Sequence, residues 1–392
     1  MQNKCIYDCR VCGRCAMLEL PILDTFDDIT ADCQRSAVKR RGYGIAIDLG
    51  TTNIALALID LSNGAVCARH TLSNPQRRYG VDVISRIEAA NNGALEEMRD
   101  AVTSAFSNAA SALAVKSGIE PGAVSEVIIA GNTVMIHLLL ELDCKPLGVI
   151  PFASPFTLKH TYSFGEIVKG SSLNCNTCIV PWLSGFVGGD ITAALVYVWR
   201  KNLRRFMLID LGTNGELALY NDGELYITAT AAGPAFEGGT GGSASEILSE
   251  LARALREDII DETGKLTDES DTFLDQKDIR ALQLAKSAVR TGIELLLEQA
   301  GISYNDLDAL FLAGGIGQAI NIPDAAETGL IPTELTGKTT AVGNASLGGA
   351  AVSLLSEDPA ARFGQLKEIA VEINLSAHPR FNEVFTDYMY FD

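Results

Sequence analysis

Positive charge is what this sequence has least of. Against 49 Asp and Glu there are 31 Lys and Arg, so the formal net charge is −18 and the pI is about 4.7. A polyanion of this kind repels phosphate backbones, which excludes a nucleic-acid partner unless a local basic patch exists. The dense basic runs are Lys39-Arg40-Arg41 and Arg200-Lys201 with Arg204-Arg205, and both read as solvated flanks at segment boundaries. Long apolar runs are missing as well. The longest, Val127 to Leu142, is interrupted by Gly131, Asn132, Thr133 and His137, and is too short and polar to span a bilayer. No charged-then-apolar secretory pattern opens the chain, so no membrane role and a cytoplasmic location are expected. Histidine is scarce too: His70, His137, His160 and His378 make no ligand spacing, and His137 reads as a packed residue.

What is present is a chain of 392 residues, 47% hydrophobic and 20% charged, with 36 glycines. That length exceeds what one hydrophobic core usually supports, and the composition is globular with many tight turns. The most informative feature is a repeat. Ile47-Asp48-Leu49-Gly50-Thr51 recurs 162 residues later as Ile209-Asp210-Leu211-Gly212-Thr213. Each copy lies between two apolar runs, the pattern of a β-hairpin with a Gly/Thr/Asn turn. Ile128-Ile129-Ala130-Gly131-Asn132 resembles Phe311-Leu312-Ala313-Gly314-Gly315, each a buried strand ending at glycine. Phe186-Val187-Gly188-Gly189-Asp190 resembles Ser346-Leu347-Gly348-Gly349-Ala350, each opening an apolar helix. The three pairs keep their order at offsets between 160 and 183, which argues for a duplicated lobe. Helical periodicity over Asp100 to Lys116 and Asp278 to Gln299, stopped at Gly118 and Gly301, makes the lobes α/β. The expected division is an N-terminal arm over 1–41, a first lobe over 42–203 and a second over 204–392. Residues 257–277 are acidic and aperiodic, and read as an exposed loop or short hairpin.

These turns suit a nucleotide. Phosphate needs closely approaching backbone N–H donors, which glycine turns supply without a Cβ in the way. Gly50, Thr51, Thr52 and Asn53 would form one such loop, and Gly212, Thr213, Asn214, Gly215 and Glu216 the other. A carboxylate at the start of each turn repels phosphate unless a divalent cation lies between, so Asp48 and Asp210 are assigned to Mg²⁺. The alternative for each aspartate is the cap of a turn. Nothing acidic precedes Gly314, Gly315 and Gly317, and that bare glycine surface is expected to pack against a flat base. Lys286, on the long amphipathic helix, is counted among the nucleotide-binding residues.

Nine cysteines fall in groups. Cys5, Cys9, Cys12 and Cys15 form C-x3-C-x2-C-x2-C with Cys33 beyond, a spacing that lets thiolates converge on one metal centre, either iron–sulfur or zinc. Cys175 and Cys178 are set among turn formers and read as an exposed loop. Cys67 and Cys144 read as small apolar residues.

These features resemble the superfamily of acetate and sugar kinases, heat-shock chaperones and actin, which implies two actin-like (ribonuclease H-like) lobes with a nucleotide cleft between them. The phosphate loops would be Asp48 to Asn53 and Asp210 to Glu216, the connecting segments would begin at Gly188-Gly189-Asp190 and Gly348-Gly349, and the adenosine loop would be Ala313 to Gly317. Within the superfamily the chain looks most like the reductive activators of corrinoid proteins. The strings that carry this are Gly131-Asn132-Thr133-Val134-Met135-Ile136-His137-Leu138-Leu139, Asp210-Leu211-Gly212-Thr213-Asn214-Gly215-Glu216, Gly233-Pro234-Ala235-Phe236-Glu237-Gly238 and Gly343-Asn344-Ala345-Ser346-Leu347-Gly348-Gly349-Ala350. The resemblance implies ATP-dependent reduction of a Co(II) corrinoid protein to Co(I). It also implies a [4Fe–4S] cluster on Cys9, Cys12 and Cys15 with Cys5 or Cys33 as fourth ligand, zinc being the alternative. The electron would come from a reduced donor such as ferredoxin or flavodoxin, and a homodimer is possible. The long activators carry a ferredoxin-like domain where this chain has the short arm. Competing readings are a small-molecule kinase with Asp190 as base, an ATPase-driven binding module, and an iron–sulfur activator of 2-hydroxyacyl-CoA dehydratases.

Overall fold

The computed structural model describes residues 40–391, apart from 157, 160, 172, 200–202, 213, 234, 236–242 and 268–270. Cys5, Cys9, Cys12, Cys15, Cys33 and Thr213 therefore lie outside the described residues, as does most of the Gly233 to Gly238 string.

Two six-stranded sheets form from the two repeats. In the first, β1 (Tyr43–Leu49), β2 (Asn53–Asp60) and β3 (Val66–Ser73) make an antiparallel meander, and β4 (Val124–Gly131) lies parallel to β1. With β5 (Tyr162–Ser163) and β6 (Asn176–Ile179) the order is β3-β2-β1-β4-β6-β5. The second sheet contains β7 (Arg205–Leu211), β8 (Gly215–Asn221), β9 (Glu224–Thr230), β10 (Ala309–Ala313), β11 (Thr339–Gly343) and β12 (Ala370–Glu372), in the order β11-β10-β7-β8-β9-β12. β7 and β8 are antiparallel, and β10 runs parallel to β7. The five strands 3-2-1-4-6 and 9-8-7-10-11 thus correspond one to one, while β5 and β12 extend opposite edges.

The helices that matter for the site are α1 (Val83–Ala89), α2 (Leu95–Ser117), α3 (Thr133–Leu139), α4 (Gly189–Trp199), α5 (Ala244–Arg256), α6 (Gln276–Ala300), α7 (Gly314–Ala319), α8 (Ala345–Leu354) and α9 (Phe381–Asp387). α2 and α6 stop at the glycines that the sequence marks, Gly118 and Gly301, at φ of 66° and 65°. That left-handed cap costs a residue with a Cβ but not glycine.

Period-two alternation splits each strand between two cores. Ile45, Ile47 and Leu49 of β1 face an outer core with Met98, Val102 and Phe106 of α2. Ala46 faces the other way, into a central core shared with Phe206 and Leu208 of β7. Met207, Ile209 and Leu211 of β7 face the outer core of the second lobe, under α5 and α6. Each large apolar side chain buried this way contributes roughly 1.5–3 kcal/mol relative to exposure. The central core is built on α4 and α8, which cross closely because small residues meet there. A Cβ on Gly349 would lie 1.8 Å from the carbonyl oxygen of Ala193, and one on Gly348 2.9 Å from the ring of Tyr197.

Three sequence expectations need correction. Cys175 and Cys178 are buried rather than in an exposed loop, because β6 is paired on both sides, by β4 and β5. Burial first, and then Glu126, pushes their thiols up to about 11 and about 12. Cys67, expected to pack as an apolar residue, is exposed on β3. Arg40 is not a solvated flank. It donates to Glu126 of β4 at 2.9 Å, to Ser356 O at 3.0 Å and to Leu354 O, tying the first sheet to the end of α8. Residues 257–277 do hold a short turn, closed by an antiparallel bridge between Ile260 and Leu266. His137 is fully buried, as expected, between Asp143 O at 3.0 Å and Ser154 Oγ at 2.9 Å. Among the described residues no helix is long and apolar enough to cross a membrane.

Candidate functional site

Asp48 and Asp210 stand at the same place in the two sheets, one residue before the ends of β1 and β7. Asp48 is in register with Ala130 of β4, and Asp210 with Ala313 of β10. Each side chain emerges where a parallel neighbour ends in glycine, Gly131 after Ala130 and Gly314 after Ala313. Loops beyond the carboxyl ends of parallel strands are where α/β folds place ligands.

Asp190 enters from the first turn of α4, and Glu216 from β8, opposite Asp210 in the hairpin. The four carboxylates act on one another. Burial, then Asp210, then Asp48 push the Asp190 carboxyl up to about 7. Burial and then Asp48 do the same to Asp210, also to about 7. Glu216 is raised well above the usual carboxylate range by burial, Asp190 and Asp210, in that order. Asp48 is raised by burial but relieved by two hydrogen bonds, from Ser346 Oγ and Asn344 Nδ2, both at 2.8 Å. All four residues are partly exposed.

Glycine lets these groups converge. Gly314, at φ +80°, has room only for hydrogen, since a Cβ there would lie 2.4 Å from Oδ1 of Asp210. Gly188 is similar, with Oδ1 of Asp190 2.6 Å from a Cβ position and the Thr133 amide 2.8 Å away. Gly314, Ile316 and Gly317 belong to α7, so the bare glycine stretch continues the strand as a helical turn. Gly314 faces Asp210, Gly315 is exposed and Gly317 is packed on Leu312.

The first predicted loop, Gly50-Thr51-Thr52-Asn53, is the β1–β2 hairpin turn, closed so tightly that a Cβ on Gly50 would meet Asn53 O at 2.6 Å. In the second, Gly212 N–H donates to Asn214 O at 3.1 Å, and Gly215 and Glu216 already belong to β8. Lys286 of α6 is buried beside the end of the chain. Its ammonium donates to Tyr390 O and sits 4.5 Å from the centre of the Phe391 ring, while Gln283 and Ser287 of the same helix hold Met389 O and Phe385 O.

A hard divalent cation suits this donor set: oxygen ligands only, anionic, and mutually repelling until a cation joins them. Among the described residues no three His, Cys, Asp or Glu side chains form a complete metal cage. The described cysteines offer no thiolate set. Asn344 and Ser346 were not singled out by role in the sequence, although both stand in the Gly343 to Ala350 string. Asn344 also caps α8, accepting from Leu347 N at 2.8 Å.

Residues 43–199 match a family profile described as the RACo middle region, and residues 204–247 and 243–392 match one described as the C-terminal domain of RACo, the ASKHA domain. The chain is 31% identical over 413 aligned residues to the corrinoid activation enzyme RamQ of Eubacterium limosum, covering 88% of this chain and 69% of the relative. It is 21% identical over 402 residues to the [Co(II) methylated amine-specific corrinoid protein] reductase of Methanosarcina barkeri, covering 84% and 73%. Among solved structures, a reductive activator for a corrinoid, iron–sulfur protein superposes with a TM-score of 0.78 at 28% identity, covering 91% of this chain and 67% of that one.

Proposed function

The chain belongs to the RACo family of reductive activators of corrinoid proteins, and we propose on that basis that it reduces the Co(II) form of a partner corrinoid protein to Co(I) at the expense of ATP. The observation that carries the nucleotide half of this reading is the meeting of Asp48, Asp190, Asp210 and Glu216 at the two repeated turns. Crowding these carboxylates, three of which are pushed up by their neighbours, is unfavourable for the protein alone and would be relieved by a bound cation.

In this reading Asp210, with Asp48, Asp190 or Glu216, would hold Mg²⁺, which would supply neutralisation of the carboxylate and phosphate charge. The turns at Gly50 to Asn53 and at Gly212 to Glu216 are the proposed phosphate loops, and Gly314, Gly315 and Gly317 would border the adenosine. Asp190, whose carboxyl is raised by burial and by Asp210 and Asp48, is the proposed base that takes a proton from an attacking water. Closure of the two lobes on the nucleotide then alters the surface that the corrinoid protein meets. The shared core of α4 and α8 would transmit that movement.

The electron enters from a reduced donor of the ferredoxin or flavodoxin class, and one electron converts Co(II) to Co(I). Cys9, Cys12 and Cys15, with Cys5 or Cys33, are proposed to hold the [4Fe–4S] cluster that passes it on, the spacing being the support. The kinase and dehydratase-activator readings are not favoured, because the relatives sharing 28–31% identity are named as corrinoid activators.

The test is an anaerobic mixture of the protein, a Co(II) corrinoid protein, MgATP and reductant, followed by its absorption spectrum. Co(I) should form with ATP and not without it. Replacing Cys9, Cys12 and Cys15 by serine should remove bound iron and Co(I) formation while ATP binding persists. Co(I) formation indifferent to ATP would sink the energy-coupled reading. Stoichiometric zinc without iron would sink the cluster.

A further inference from the structure

Arg86 is fully buried in the first lobe, and no carboxylate among the described residues touches it. Its guanidinium donates through Nε to Gly80 O at 2.9 Å, through Nη2 to Thr51 O at 2.7 Å, and through Nη1 to the Met135 sulfur at 3.1 Å. Asp82, at the start of α1, acts on it only from a distance, and Arg77 opposes it. A buried arginine serving only the architecture is expected to pair with a carboxylate, since an uncompensated buried charge is costly. This one instead spends its strongest hydrogen bond on the turn that the repeat marks for phosphate.

Asn74 completes the arrangement. Its side-chain amide donates to Gly50 O at 2.8 Å, and its backbone N–H to Thr52 O at 2.9 Å. Three consecutive carbonyls, of Gly50, Thr51 and Thr52, are therefore held by two residues that both touch Met135. In a trans peptide the N–H points opposite to its C=O. The amides of Thr51 and Thr52 are thus turned away from Arg86 and Asn74, and neither donates to a backbone acceptor among the described residues. Thr52 is exposed. Two adjacent free amides, with a cation behind their peptide planes, make an anion cradle. The guanidinium also polarises the Thr51–Thr52 peptide, strengthening its N–H as a donor.

We propose that Arg86 is the positioning residue of the first phosphate loop. It fixes the Thr51 carbonyl so that the Thr51 and Thr52 amides receive a nucleotide phosphate, whose negative charge balances the buried guanidinium. This rests on the nucleotide reading above, and the experiment separates the two. Arg86→Met keeps the length and apolar stem of the side chain and removes the charge and the fork. Calorimetric titrations of this variant and the parent with MgATP, MgADP and adenosine should show ATP affinity falling roughly tenfold or more, the worth of a hydrogen bond to a charged group. Adenosine affinity should not change. Equal losses for ATP and adenosine would reduce Arg86 to a structural role, and unchanged ATP affinity would remove it from the site. A parent protein that binds none of the three overturns the nucleotide reading itself, and this role with it. Should Arg86→Met fail to fold, Arg86→Lys carries the test. It keeps the charge without the fork, so ATP should weaken several-fold with adenosine unaffected, and equal ATP affinity in that variant would overturn the proposal. In the nucleotide-free protein, amide hydrogen exchange at Gly50 to Asn53 should speed up in either variant, because the loop loses its anchor.

Discussion

Asp48 and Asp210 end matching strands in matching strings, yet they live differently. Asp48 is held from the other lobe by Asn344 and Ser346, whereas Asp210 faces Gly314 and the repelling charges of Asp48, Asp190 and Glu216. The helices that follow differ too. The glycine pair opens α4 as Gly188-Gly189, but lies a turn inside α8 as Gly348-Gly349, so only the second pair reaches the crossing of the two helices. Asp190 on α4 has Ala350 as its counterpart. The two copies have thus diverged: Asp48 ties the lobes together, and Asp210 is the one proposed for chemistry.

The largest expected effect separates the two aspartates. Asp210→Asn should abolish ATP hydrolysis by orders of magnitude, because it removes the carboxylate with least internal compensation. Its melting temperature at pH 8 should not fall and should rise, since a repelled charge is gone. Asp48→Asn should lower the melting temperature instead, because the amide keeps an acceptor for only one of the two donors, Asn344 and Ser346. If the two variants behaved alike in both assays, the division would be wrong. The glycine pairs come next. Gly349→Ala would drive a methyl into the Ala193 carbonyl within α4, and should cost on the order of 3 kcal/mol or more in denaturant unfolding. Gly189→Ala meets a single carbonyl, Val180 O, at 2.3 Å rather than 1.8 Å, and should cost less. The reverse order would place the rigid point in the first lobe.

How legible this was follows from the range of the forces involved. The hairpins at Asp48 and Asp210 and the stops of α2 and α6 are local: alternation, a glycine turn and a left-handed cap are written within a few residues. The grip of Asn344 and Ser346 on Asp48 spans almost the whole chain, and no spacing in the sequence encodes it. Arg86 stands in a polar stretch with Arg77 and Arg78 nearby, and nothing local tells which arginine turns inward. The burial of Cys175 and Cys178 failed for a related reason. Asn174 and Asn176 are turn formers by propensity, but pairing of β6 on both sides overrides it.

A smaller effect is the pH dependence of the nucleotide-free protein. Asp190 and Asp210 have folded pKa values of about 7, above the roughly 3.9 of an unfolded aspartate. The folded chain therefore holds more protons than the unfolded one in that interval, and stability falls as pH rises from about 4 to about 7, then levels. The melting temperature should drop between pH 5 and pH 8 by a few degrees. MgATP should flatten the curve, and so should Asp210→Asn, while Ser346→Ala should not. A melting temperature that rises steadily over this range would mean that the carboxylates are compensated in the protein alone.

The smallest effect sharpens the comparison most finely. Ser346→Ala removes one of the two donors to Asp48 and leaves Asn344, whose own geometry is fixed because its Oδ1 caps α8 at Leu347. A single hydrogen bond to a partly exposed carboxylate is worth about 1 kcal/mol, so the urea midpoint should shift slightly with an unchanged slope. Asn344→Ala should cost about twice that, because the helix loses its cap along with the interlobe bond. The decisive measurement is the double-mutant cycle with Asp48→Asn. If Ser346 stabilises through the carboxylate, its replacement should cost clearly less once Asp48 is uncharged. Equal cost in both backgrounds would show that Ser346 acts through α8 alone, and Asp48 would lose half of what distinguishes it from Asp210.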